Sequence, residues 1–164
     1  MTIRKATIED ISRILELRDY ARGIMRKDGN YGQWPEGYPT EETFLQDIQS
    51  GHSFVIAQSG EIIATFAFIP GPDPTYSIIY NGEWLDEQPY YVVHRIASTP
   101  ESRGVMDALL QFCFSRCNNL RIDTHRDNHI MRHILQKHGF AYCGIIHIAT
   151  GDERLAYQKT TEQR

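Results

Sequence analysis

Between Leu120 and Phe140 the chain reads LRIDTHRDNHIMRHILQKHGF. This is a short strand over 120–125, a polar corner at Thr124 to Asn128, an amphipathic helix over 129–138, and Gly139-Phe140 opening the next segment. In the helical part Ile130, Met131, Ile134 and Leu135 share one face, the spacing of a helix packed on a sheet. Any fold that contains this unit must offer that face a sheet to cover. The corner lies at the carboxyl end of a strand, where α/β proteins usually bind their ligands.

The rest of the chain supplies such a sheet. Ile3 to Ala6 reads as a first strand, and Thr7 with Asp10 has the spacing of a capping box. Ile11, Ile14, Leu15, Leu17, Ala21 and Ile24 recur at helical period, so a helix is expected over about 8–25. Segment 27–40, KDGNYGQWPEGYPT, is loop by its Gly, Pro and Asn content, yet carries Tyr31, Trp34 and Tyr38. Those aromatics lid the core, wall a binding pocket, or do both. A second short helix opens at Thr40 or Glu41 and runs through Ile48. Ser59-Gly60 then separates two apolar strands, 52–58 and 61–69, as a hairpin. Pro70 to Pro74 turns the chain away, and Thr75 to Tyr80 is either a further strand or an insertion.

Tyr90 to Ser98, YYVVHRIAS, is strongly strand-forming. A long helix is expected from Thr99-Pro100 to about Cys117, and the closing strands are expected over 140–148 and 154–158. The order βααβββ, then αβαββ, mixes hairpins with crossovers. It indicates a mixed sheet covered on its faces, an α/β sandwich. No linker, repeat or low-complexity run divides the chain, and 164 residues suit one core, so 1–164 reads as a single domain.

Charge and composition narrow the function. Seventeen basic against twenty-one acidic residues, with no basic block, lend no support to nucleic-acid binding and little to an anionic membrane surface. No apolar run approaches the roughly 18 residues of a membrane span. Met1 to Thr7 lacks a signal-peptide core, so cytoplasmic residence is the expectation. Cys113, Cys117 and Cys143 form no CxxC pair and read as buried structural thiols. His129 and His133 stand one turn apart, but Ile130 occupies the place of the glutamate in HExxH, and no metal site is expected.

Two places carry candidate chemistry. Strand 90–98 runs toward a helix near Arg103-Gly104, where unpaired amides, a glycine and a guanidinium could receive a phosphate. The same residues also fit an ordinary helix start with Thr99 as N-cap and Pro100 at N1. Asn128 is equally an N-cap or a side chain directed at a ligand amide. Both alternatives stay open on the residues alone.

Taken together, these stretches resemble the GNAT superfamily of acetyl-CoA-dependent N-acetyltransferases. The similarity runs from IRKATIEDISRILELR at Ile3 to Arg18 through RLAYQK at Arg154 to Lys159. ESRGVMDALL, Glu101 to Leu110, takes the place of the family's Q/R-x-x-G-x-G/A turn, with Gly104 at its first glycine. NHIMRHILQKHGF takes that of N-x-x-A-x-x-L-Y-x-K-x-G-F, matching at Asn128, Lys137, Gly139 and Phe140. Three positions depart. Glu101 replaces Gln or Arg, Met106 replaces a small residue and crowds the turn, and Leu135 replaces the Tyr that often protonates the departing thiolate.

The resemblance implies an α/β GNAT fold: a mixed, mostly antiparallel central sheet of six to seven strands, splayed between strands 4 and 5 and flanked by about four helices. It implies acetyl-CoA lying in that gap, against backbone at Ile96, Ala97 and Ser98, with the amides of Arg103, Gly104, Val105, Met106 and Asp107 on the pyrophosphate and Asn128 on the pantetheine side. Trp34, Tyr38 and Tyr90 are assigned to the acceptor pocket. His94 is the expected base or water relay, with a satisfied structural histidine as the alternative, and Tyr142 the substitute for the missing acid. Alternation groups Tyr90, Val92, His94 and Ile96 on one face of the strand, against Tyr91, Val93, Arg95 and Ala97. The expected reaction is acetyl transfer to a primary amine of a small molecule. A peptide or protein acceptor, or an acetyl-CoA-binding sensor with little activity, are the alternatives, and a homodimer through sheet edges or the late hairpin is left open.

Overall fold

The computed structural model describes residues 1–161, so the last three positions of the expected 1–164 domain lie outside the described residues. The seven strands are β1 (Thr2–Lys5), β2 (Ser53–Gln58), β3 (Glu61–Pro70), β4 (Tyr91–Ser98), β5 (Asn119–Thr124), β6 (Ala141–His147) and β7 (Glu153–Thr160). The four helices are α1 (Ile11–Lys27), α2 (Glu41–Gln49), α3 (Val105–Phe114) and α4 (His129–Lys137). One sheet runs in the order β1-β2-β3-β4-β5-β7-β6. Every neighbouring pair is antiparallel except β4 and β5, which are parallel. The element order is the one read from the sequence.

Local chemistry explains the boundaries that differ. The Thr7 N–H donates to Asp10 Oδ2 at 2.8 Å as the capping spacing requires, but residues Ile8–Asp10 form a 3-10 turn and α1 starts at Ile11. Asp10 also takes a two-point contact from Arg4 at 2.8 and 3.0 Å, which ties β1 to the helix start. The expected helix after Thr99-Pro100 begins later, at Val105. Gly104 is its N-cap with φ +74°, which displaces the reading of Thr99 as N-cap and Pro100 at N1. Thr75 to Tyr80 is an insertion rather than a strand: a 3-10 turn at Pro74–Tyr76, then a single bridge from Tyr80 to Ile145.

Helices cover both faces. On one, Leu109 and Cys113 of α3 and Leu135 of α4 pack against Phe66, Val93, Leu120 and Ile122 of the sheet. Phe112 joins the stacked pair Phe54 and Phe66 at ring distances of 5.1 and 5.9 Å. On the other, Ile14, Leu17 and Ala21 of α1 and Phe44 of α2 cover Val55 and Ala97. Each large apolar side chain buried this way contributes roughly 1.5–3 kcal/mol. Cys113 and Cys143 are buried and Cys117 half-buried, all as thiols, and burial pushes each thiol above its ordinary range. Among the described residues no helix is long and apolar enough to cross a membrane.

The expected alternation along β4 fails after His94. Ala67 of β3 pairs with His94 and Thr65 with Ala97, so Arg95 and Ile96 together oppose the single residue Phe66. This is a β-bulge, and Arg95 stands in it at φ +54°. Ile96 consequently joins Val93 on the α3 and α4 side, while Ala97 turns to α1. A non-glycine residue in the left-handed region costs about 1–3 kcal/mol. Asp47 of α2 offsets that cost, accepting from Arg95 Nε at 2.7 Å and Nη2 at 2.8 Å in a mostly buried pair. Asp47→Ala would strand the guanidinium and is expected to remove about 3 kcal/mol. At this chain length that is roughly 10 °C in Tm, readable by thermal unfolding; a Tm within a degree of the parent would show that the bulge holds itself.

Candidate active site in the split sheet

The parallel pair β4 and β5 is registered only at Tyr91 with Leu120 and Val92 with Arg121. Beyond these the strands part. β5 is instead held along its length by β7, from Asn119 with Thr160 to Thr124 with Leu155, while β4 follows β3 through the bulge. The extra residue bends β4 away from its parallel neighbour. A gap opens at the carboxyl ends of both strands, and a cavity enters it from either side.

The first cavity, about 430 Å³, lies toward α1 and the 28–40 loop. Its chemistry is a chain of polar groups. His94 Nε2 stands 3.1 Å from Asp73 Oδ2, and His94 Nδ1 stands 3.9 Å from Asp123 Oδ2. Tyr76, fully buried, donates its hydroxyl to that same Asp123 oxygen at 2.6 Å. Burial, then the Asp123 charge, holds the Tyr76 phenol well above its ordinary range, so it stays a donor. Burial pushes the Asp73 carboxyl up, but the bond from His94 and the hydroxyl and N–H of Thr75 outweigh it and hold Asp73 at about 2. The Asp73 N–H in turn donates to the Tyr90 hydroxyl at 2.8 Å.

The second cavity, about 330 Å³, lies toward α3 and α4. Ile96, Ala97 and Ser98 of β4, Gly104 through Asp107 at the start of α3, and Asn128 line it, as expected. The first-turn amides of α3 have no acceptor within the helix, and Gly104 places them by its positive φ. A Cβ there would meet only Met1 Cε, at 3.8 Å, so the glycine supplies conformation rather than space. Lys137 adds a positive charge to the wall. Free amides at a helix start beside a lysine suit the diphosphate of a coenzyme A. The three departures leave the cradle open: Glu101 is exposed, Met106 packs partly against the core, and Leu135 is 0% exposed in the core. The apolar face of α4 divides its duty, Leu135 facing the sheet while Ile130 and Ile134 line this cavity.

Met25, Ile96, Asn128 and Met131 line both cavities, which therefore meet back to back in the split. His94, Trp34 and Tyr38 line the first, and Trp34 also seals the core against Leu17, Ala21 and Ala97. Three expected site residues stand outside both cavities, and the side chain of a fourth is already engaged. Tyr90 lies behind Asp73 and stacks on the Arg121 guanidinium at 3.9 Å, outside the cavity lining. Tyr142 is 53% exposed on β6 beside Tyr157, lining neither cavity of the split, because the alternation of β6 points it outward. Arg103 is exposed and outside the lining. Asn128 lies in the walls, but its side chain is engaged: Oδ1 accepts from Met131 N at 3.0 Å and Nδ2 donates to Gln33 at 2.8 Å.

Asp73, Tyr76, Asp123, Gln33 and Arg154 were not singled out from the sequence. Asp73 sits in a segment that reads only as a turn, PGPDP, and the others show no local pattern.

The chain matches the model of the acetyltransferase (GNAT) family over residues 20–140. Its structure is similar to that of a GNAT-family acetyltransferase from Streptococcus agalactiae 2603, with 35% sequence identity, 99% of this chain and 96% of that chain covered, and a TM-score of 0.89. A GNAT-family acetyltransferase from Listeria monocytogenes 4b F2365 is similar at 17% identity, 98% and 94% coverage and a TM-score of 0.71. The ribosomal-protein-S18-alanine N-acetyltransferase from Escherichia coli is similar at 15% identity, 99% and 95% coverage and a TM-score of 0.64. At those lower identities the likeness is one of fold alone. No curated protein matches the chain significantly. With a family model spanning most of its length, a relative at 35% identity and the split sheet of the fold, the chain belongs to the GNAT acetyltransferase family.

Proposed function

We propose that the protein acetylates a primary amine of a small molecule, using acetyl-CoA. The observation that carries this reading is the meeting of the two cavities at Ile96, Asn128, Met131 and Met25, with free helix amides on one side and His94 on the other. When bound, acetyl-CoA supplies an acyl group activated as a thioester. Gly104 through Asp107 would hold its diphosphate, and the backbone of β4 beyond Val92, unregistered on β5, would be open to hydrogen-bond its arm. A cavity of about 430 Å³ has the size of a small-molecule site, which favours a small amine over a folded protein acceptor.

The residues around His94 set the direction of proton flow. In the neutral form of His94 a proton on Nε2 would be donated to Asp73, leaving the Nδ1 lone pair free. Asp123 stands beside that nitrogen and attracts an ammonium to it. The amine must lose a proton before it can attack, since an alkyl ammonium has a pKa of about 10. His94 Nδ1 takes it, directly or through water, and Asp73 then faces an imidazolium, which its charge stabilises. This arrangement of His94, Asp73 and Asp123 is what supports a catalyst over a passive acetyl-CoA binder. Neither position considered for the acid of the departing thiolate serves, Leu135 being apolar and Tyr142 outside both cavities. A thiol pKa of about 8.5 lets it leave as the anion.

Free thiol release with a panel of amines tests the reaction itself, and thermal shift by acetyl-CoA tests its first step. His94→Ala is expected to lower kcat/KM for the best amine by about a hundredfold or more, while acetyl-CoA still raises Tm; undiminished turnover would remove His94 as the base. Gly104→Val, which puts a branched side chain at a positive φ, is expected to weaken acetyl-CoA binding about tenfold, roughly 1.4 kcal/mol. Arg103→Ala, outside the lining, should stay within about threefold; calorimetry giving the reverse order would move the diphosphate off the α3 amides. Asp73 has a depressed pKa, so its contribution to stability is whole above the ordinary carboxylate range and lost as the pH falls through about 2. Asp73→Asn should therefore be less stable than the parent in urea at neutral pH, with the gap closing on acidification; a gap that is constant with pH would rule out a folded-state carboxylate held by His94.

A further inference from the structure

Arg154, at the start of β7, is 5% exposed and lines the first cavity. Its hydrogen bonds among the described residues go to two backbone carbonyls, Glu153 at 2.9 Å and Gly32 at a long 3.4 Å. No carboxylate of the described residues pairs with it. The other guanidinium in this wall, Arg95, is paired with Asp47 by a two-point contact. A buried cation without an anion is costly, and its five donors in a planar fork suit a carboxylate. Burial lowers its pKa and the charges of Asp123 and Asp152 pull it back, so the nearby carboxylates are felt without being bonded. Asp152 also lines the cavity but is exposed and accepts from Thr150, and Asp123 is occupied by Tyr76.

Strand register fixes the direction. Asp123 is opposite Ala156, so Arg154 is two residues further along β7 on the same face, about 7 Å from the Asp123 row. The cavity thus has an amine end at His94, Asp73 and Asp123, and a cationic end at Arg154. Trp34 and Tyr38 form an aromatic wall of the same cavity.

We propose that the acceptor is an amine that also carries a carboxylate, an amino acid or a close derivative, and that Arg154 binds that carboxylate while the amine faces His94. This rests on the amine-acetylation reading above and adds its substrate class. The carboxylate turns the arginine's uncompensated burial into a requirement of the ligand: a neutral analogue leaves Arg154 unpaired and is rejected.

The test pairs each amine with and without its anion: apolar and aromatic amino acids, their carboxamides, and the corresponding aminophosphonates. Binding to the parent protein is read by calorimetry in the presence of coenzyme A, and acetylation by thiol release. The parent is expected to prefer the carboxylate over the carboxamide at least tenfold, in Kd and in kcat/KM. Arg154→Gln should collapse the ratio toward one, and Arg154→Lys should restore part of it. Equal affinity for acid and amide in the parent would overturn the proposal without any variant needing to fold. A preference for the phosphonate over the carboxylate would also overturn it, in favour of a phosphate-bearing amine. If acid-selective binding is found but no amine releases thiol, the acetyltransfer reading fails and the anion site stands; if thiol is released with no acid preference, the reverse holds.

Discussion

The bulge at Arg95 and Ile96, clamped by Asp47, is the constraint on which the rest of the site depends. A parallel pair that stayed in register past Val92 would close the sheet and leave no room for either cavity. The extra residue bends β4, and the same bend reverses which side chains face which layer. Val93 and Ile96 serve the α3 and α4 core, while His94, Arg95 and Ala97 serve the other side. Strain and function coincide here in a physically specific way: a left-handed arginine costs about 1–3 kcal/mol, and the two-point contact with α2 is what makes that conformation persist. α2 contributes no residue to either cavity, yet it fixes the strand that lines both.

On that frame the electrostatics follow from burial. Tyr76 is sealed in the core and keeps its proton, which leaves Asp123 as the charged partner of a short bond. Asp73 is held ionised by His94 and Thr75. Two carboxylates therefore flank one imidazole, and a positively charged group entering the cavity meets a field already set for it, without reorganisation when the proton moves. The insertion over 71–90, which forms no strand of the sheet, supplies both Asp73 and Tyr76. Trp84 braces it by donating to the Tyr76 carbonyl at 3.0 Å, and Arg121 is sandwiched between Trp84 and Tyr90 at 4.1 and 3.9 Å.

What was legible in the sequence divides along the range of the interactions. Helices and strands whose apolar spacing is local, such as α1 and β2 with β3, are placed within a few residues, and one wall of the second cavity follows from one glycine and one helix start. The alternation of β4 was misread because a bulge has no local signature: YYVVHRIAS is an unbroken strand until Asp47, 48 positions away in sequence, takes hold of Arg95. His94 could be found because histidine is chemically conspicuous. Its partners could not, since Asp73 looks like a turn residue and Tyr76 like a piece of an insertion until the fold brings them together. Tyr142 answers the need for an acid rather than a position, and β6 places it beside Tyr157 and α4, outside both cavities of the split.

The 28–40 loop shows the same dependence on distant contacts. Its aromatics suggest a lid, but its attachment to the corner after β5 is polar. Gln33 Oε1 accepts from Thr124 Oγ1 at 3.0 Å, from the His125 N–H at 3.2 Å and from Asn128 Nδ2 at 2.8 Å. One side-chain oxygen thereby fixes the end of β5, the start of α4 and the loop that carries Trp34. Asn128 is the N-cap, one of the two sequence readings of it: it caps α4 through Oδ1 and, by spending Nδ2 on Gln33, joins the wall shared by the two cavities to the loop. Because a satisfied buried network is stiff and a partly satisfied one is costly, the loop cannot lift away without unpairing the corner. The walls of the two cavities are in this sense a single piece, and the geometry between His94 and the α3 amides is set by Gln33 as much as by the strands themselves.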